Sequence, residues 1–177
     1  MKPVRFLVSL AVLFLFTLPL SDRTVPTATA APATRNDLRQ TLAIVVNRSN
    51  PVENLSLAEL RKIFLGQRIR WPNGHRVVVA MLDSGFPERD AVLREVYRMT
   101  ESGYRDYFLK GRYTGDIPIL PKTLSSPEIL RKFVFNAPGA IGYLRASDLD
   151  SSVKVVSIDG RLPDNREYKL LIQGPTS

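Results

Sequence analysis

Cysteine is missing from all 177 residues, and histidine and tryptophan occur once each. Without cysteine there are no disulfides, no thiol nucleophiles, no thiolate metal sites and no lipid-modified cysteine at an export cleavage point. With His75 as the one imidazole, neither a histidine metal cluster nor a nucleophile–base–acid relay has its parts. Asp148 with Asp150 is too sparse a pair to hold a metal, and no two acids are spaced for general acid–base work. The chain therefore reads as a non-enzyme with no cofactor and no metal.

Long runs of one charge are lacking too. Lys and Arg outnumber Asp and Glu by 25 to 17, a net charge of +8, yet the cations look thinly spread. No dedicated patch for nucleic acid is expected, and small anions or a surface role fit better. Long hydrophobic runs are scarce as well. The one candidate, Phe6 to Leu20, follows Lys2 and Arg5 and precedes Ala28-Thr29-Ala30. This order predicts a secretory signal peptide over residues 1–30, cleaved before Ala31. The alternative is a retained anchor, for which the run is at the short end. A periplasmic or secreted protein that is not a lipoprotein follows. Residues 31–37 read as a flexible leader and 38–177 as one domain.

Within that domain, "TLAIVVN" (41–47) is an apolar, β-branched run read as a buried strand. Ser56 and Glu59 have the spacing of a capping box, with Leu55 and Leu60 as a staple, and predict a helix over 57–65. "WPNG" (71–74) is a turn and "HRVVVAML" (75–82) a second strand. Helical spacing recurs at Val92, Leu93, Val96 and Tyr97, at Tyr104, Tyr107 and Phe108, and at Ile129, Leu130, Phe133 and Val134. "GRYTGDIPILP" (111–121) reads as irregular, 140–144 as a strand, and "VKVVSI" and "YKLLIQ" as two last strands. Buried strands alternating with helices predict an α/β fold with helices on both faces of the sheet.

The sharpest candidate site is Ser84-Gly85, between the strand ending at Leu82 and a helix. Such a turn offers free N–H groups and the positive end of a helix dipole to an anion. Ser84, Gly85, Phe86 and Arg89 are the candidate ligand-binding residues. Against this, Glu88 and Asp90 would satisfy the dipole themselves. The plainer reading is Asp83 or Ser84 capping the helix. The glycines at 139 and 142 bring backbone close either to a ligand or to a neighbouring strand.

Two motifs, "L-x-x-I-F-L-G-x-x-x-x-W" (Leu60 to Trp71) and "P-G-A-I-G-Y" (Pro138 to Tyr143), together with Ser84-Gly85, resemble the phosphate-binding periplasmic substrate-binding proteins of ABC transporters. The resemblance runs from about Leu42 to Leu144 and implies a single-lobe, type II periplasmic-binding-protein-like fold, a short form matching mainly the family's second half. It carries Ser84 and Gly85 over to an anion site. The family's nearby arginine and its threonine are replaced by Ala80 and Phe86, and "RYTG" (112–115) is a further family-like element. The implied function is phosphate or other small-anion binding linked to ABC transport, with an ABC permease or envelope protein as partner and a homodimer as one way to supply a missing wall. The alternative is an envelope interaction module that has kept the fold and lost the ligand.

Overall fold

The computed structural model describes residues 40–172, so the expected signal segment and leader lie outside the described residues. Leu42–Val46 forms β1, and all five residues are buried. A strand apolar on both faces needs cover on both. After the two-residue strand Asn54–Leu55 (β2), the Ser56 hydroxyl accepts from the Glu59 N–H and the Glu59 carboxylate accepts from the Ser56 N–H. This reciprocal box starts Leu57–Phe64 (α1), which buries Leu60, Ile63 and Phe64.

The strands Val78–Leu82 (β3), Lys122–Leu124 (β4), Ala140–Arg145 (β5) and Lys154–Val155 (β6) join β1 in a five-stranded sheet of order β4-β3-β5-β1-β6. The pairs β3–β4 and β3–β5 are parallel, whereas β1 runs antiparallel to β5 and β6. Ser157–Ile158 (β7) pairs with β2 in a small separate ribbon. The helices are Pro87–Val92 (α2), which continues into a π-turn over Leu93–Tyr97, then Glu101–Thr114 (α3) and Pro127–Asn136 (α4).

Strand alternation sorts these helices between two faces. Ala80 and Gly142 point at α4. A Cβ on Gly142 would stand 2.8 Å from Leu130 Cδ2 and 3.3 Å from the Ala80 Cβ, so the missing side chain is what lets α4 approach. Met81 and Tyr143 point the other way, where the Tyr97 hydroxyl lies 3.8 Å from Met81 Sδ and the Tyr143 hydroxyl accepts from the Leu82 N–H. Phe64, Tyr97, Tyr104 and Phe108 pack there with centroids 4.7 to 6.1 Å apart, mostly edge to face. This cluster joins α1, the π-turn and α3. Helices therefore cover both faces, as expected.

Several boundaries differ from the sequence reading. The strand expected from His75 begins at Val78, because Arg70 and Arg76 bridge across the Trp71 turn and hold His75 outside the sheet. α3 extends through Arg112-Tyr113-Thr114 to Gly115, a left-handed cap (φ +80°), so "RYTG" is a helix end. β4 falls just past the stretch read as irregular. "VKVVSI" is divided between two sheets, and the described part of "YKLLIQ", through Ile172, contributes a bridge from Leu171 to Thr41 rather than a strand. Both segments follow edges, where pairing is short.

Candidate anion-binding site

β3 and β4 are parallel neighbours whose helices depart to opposite faces. From β3 the chain passes through Asp83–Phe86 into α2 on the Tyr143 side. From β4 it passes through Ser125 and Ser126 into α4 on the Gly142 side. Such a switch leaves a crevice at the carboxyl ends of the strands, the place where open α/β sheets bind ligands. The Asp83 N–H, bonded to the Leu124 carbonyl at 2.9 Å, ties the ends of the two strands together.

Ser84 and Gly85 are exposed at the carboxyl end of β3 and Phe86 is half-buried. Gly85 has φ +95°, a conformation that L side chains rarely adopt, and it turns the chain outward. Among the described residues, the backbone N–H groups of Ser84 and Gly85 have no backbone hydrogen-bond partner, and the two residues form the middle of a turn that closes from Asp83 to Phe86. These two donors form a ledge open to water, with Phe86 at its inner edge. The nearby Ser126 hydroxyl is occupied, accepting from the Ile129 N–H as the cap of α4.

The expected cap at Asp83 or Ser84 is not formed. The N-cap of α2 is Phe86, which makes no side-chain cap bond, and Pro87 takes the first helical position. Proline fixes a helical φ there and holds its predecessor extended, so the helix starts too late for Ser84 to cap it.

Arg89 lies beneath the ledge rather than on it. It is only 4% exposed, and Nε and Nη2 each donate to Glu101 at 2.8 Å while Nη1 donates to the Leu82 carbonyl at 2.6 Å. The guanidinium also lies 4.8 Å from the Tyr104 ring centroid. Burial would lower the Arg89 pKa, but the bond to Glu101 and its charge outweigh this and raise it. The bond from Arg89 correspondingly lowers the Glu101 carboxyl. Glu88, the preceding residue, is buried as well and pairs with Arg145 at the end of β5. Its Oε2 has no partner among the described residues. Two adjacent ionised side chains are thus drawn into separate internal pairs. Ala80 is fully buried against α4 and supplies no charge.

The arrangement gives an anion backbone donors and one hydroxyl, with Asp83 and Asp90 exposed on either side. It offers no nucleophile with a base. Among the described residues no group of three or more His, Asp or Glu side chains is placed to hold a metal.

The two motifs behind the resemblance meet at the other end of the sheet. The Trp71 indole N–H donates to the Gly139 carbonyl at 2.9 Å, and a Cβ on Gly139 would stand 1.9 Å from the Arg76 carbonyl oxygen. The glycine thus admits a neighbouring strand, not a ligand.

No protein-family profile matches the chain. It is 33% identical over 124 residues to the phosphate-binding protein PstS of Bacillus subtilis (strain 168), an alignment covering 70% of this chain and 37% of that protein. The chain is related to the phosphate-binding substrate-binding proteins. Among solved structures, an ABC-type phosphate transport receptor from Vibrio cholerae superposes with a TM-score of 0.54 at 22% identity, over 70% of this chain and 49% of the other. PstS from Borrelia burgdorferi gives 0.52 at 13% identity, over 68% and 47%. These two establish the type II fold. The chain spans less than half the length of each relative.

Proposed function

We propose that this protein is an exported, substrate-binding-protein-like domain that takes a small anion, phosphate first among them, on the Ser84–Phe86 ledge. The observation that carries this reading is the pair of backbone N–H groups, of Ser84 and Gly85, left without a backbone partner in the exposed turn at the carboxyl end of β3. Ser84 donates its hydroxyl, and the Ser84 and Gly85 N–H groups donate from the backbone. Arg89 acts from below, fixing the end of β3 through Leu82 and tying it to α3 through Glu101. The names of the relatives, phosphate-binding protein and phosphate transport receptor, support the choice of ligand.

An anion leaving water needs its lost hydration replaced by hydrogen bonds or paired charge all round. The ledge supplies one side. Binding is therefore weak and leaves the outer oxygens hydrated, unless a second copy or an envelope partner such as an ABC permease closes the crevice. A periplasmic location belongs to the same reading.

Thermal unfolding at fixed ionic strength tests it. Phosphate is expected to raise the melting temperature above the value in chloride, by more at higher protein concentration, and Ser84→Ala to shrink that difference. Identical curves in phosphate and chloride would instead favour an interaction module that has lost its ligand.

A further inference from the structure

We propose that the end of the domain opposite the Ser84 ledge is a docking surface for an anionic bilayer. Residues 61–76 carry five Lys and Arg and no Asp or Glu. What looks thinly spread along the chain is gathered by the fold. Arg70 and Arg76 face each other across the turn in an antiparallel bridge, and neither forms an ion pair among the described residues. Arg68 follows on the same segment, 6.0 Å from the Trp71 ring centroid and 3.9 Å from the Glu59 carboxylate, a half-exposed pair that only partly offsets its charge.

Like charges directly opposite are destabilising, and the backbone holds them there nonetheless. The Trp71 N–H bonds the His75 carbonyl at 2.9 Å, the Gly74 N–H the Trp71 carbonyl at 2.9 Å and the Val77 N–H the Ile69 carbonyl at 3.0 Å. The indole bond to Gly139 anchors the whole turn to the sheet. The result is a stiff cationic tip whose mutual repulsion an anionic surface relieves.

Apolar side chains stand among these cations. Ile69 is 37% exposed in the turn itself. A Cβ on Gly66 would lie 3.1 Å from Ile117 Cγ2 and 3.9 Å from the Ile119 carbonyl oxygen, so the loop bearing exposed Leu120 abuts the start of the same turn. The Asn47 amide at the end of β1 donates to the Phe135 carbonyl at 2.6 Å, which brings Phe135, 53% exposed, to this end as well. Cations interleaved with apolar side chains match the bilayer interface, where headgroup phosphates and the acyl boundary lie within one layer. Nucleic acid would use the charge but not the aliphatic groups. The predicted export route also brings the chain to a membrane.

The five residues of β3, at about 3.3 Å each, separate this tip from the ledge by roughly 17 Å. The ledge end carries exposed Asp83 and Asp90. Docking by the tip therefore turns the ledge away from the membrane and leaves it open to solutes.

Co-sedimentation of the full chain with vesicles tests the proposal. The comparison is phosphatidylcholine alone against phosphatidylcholine with phosphatidylglycerol, at low and high salt. Binding is expected only with phosphatidylglycerol and is weakened by salt. R70E/R76E should lower the affinity at least about tenfold. R166E/K169E removes the same charge from exposed positions in the carboxyl-terminal segment and should bind as the unmodified chain does. R70Q/R76Q, with no charge reversal, should fall between. Circular dichroism checks that each variant is folded. Equal binding by R70E/R76E, equal loss in R166E/K169E, equal binding to neutral vesicles, or retention on heparin without vesicle binding would each overturn the proposal.

Discussion

Arg89 and Glu101, twelve residues apart, are joined by two 2.8 Å hydrogen bonds that turn the guanidinium away from the Ser84–Phe86 ledge and into the domain. The cation nearest the ledge in sequence is thus a structural support. Arg89→Ala would remove a donor from the Leu82 carbonyl and leave the partly exposed Glu101 carboxylate to water, and is expected to cost about 1–3 kcal/mol in urea unfolding. Arg89→Lys keeps the charge but loses the fork, and should recover only part of this. Wild-type stability in Arg89→Ala would contradict the assignment.

The same pair sets an acid limb. Arg89 holds the folded-state pKa of Glu101 below its ordinary value of 4.5. The stabilisation is therefore fully present above 4.5 and is lost as the pH falls through the lower folded value. Below pH 4.5 the wild type should lose stability more steeply than Glu101→Gln, which has no carboxyl to protonate there. Parallel stability curves between pH 5 and 3 would show that the pair contributes nothing to the acid limb.

Two glycines make a graded prediction. Gly142→Ala meets the Leu130 side chain at 2.8 Å, which can shift, and should cost about 1–3 kcal/mol. Gly139→Ala meets the Arg76 backbone carbonyl at 1.9 Å, which can move only with β3, and should cost more. Denaturant midpoints in the reverse order would show that the turn before β5 yields more easily than the α4 contact.

Trp71→Phe keeps the buried ring and deletes the donor to Gly139. It is expected to destabilise by about 1 kcal/mol, the loss of one hydrogen bond, because the Gly139 carbonyl keeps the Val78 N–H as a second donor. A change near zero would mean that water replaces the indole N–H.

What could be read from the sequence was local. Capping by Ser56 and Glu59 needs residues three apart, and the buried run of β1 needs only its own composition. β4 escaped notice because two of its three residues, Lys122 and Thr123, are exposed and it exists only through pairing with β3. At the site, the Ser84-Gly85 turn was legible from the small residues before a helix. The position of Arg89 was not, since its partner lies beyond a π-turn whose wider path no residue pattern announced. Nor could spacing show that β3 and β4 send their helices to opposite faces. The meeting of Trp71 with Gly139, 68 residues on, explains why the two resembling motifs occur together, and it is a matter of packing rather than of ligand.

The most direct test of the ledge is a titration of the isotopically labelled protein with phosphate, followed by amide NMR at fixed ionic strength. The account predicts saturable shifts concentrated on the Ser84, Gly85 and Phe86 amides, diminished in Ser84→Ala. Shifts spread over the surface, or identical with chloride, would contradict an anion site there.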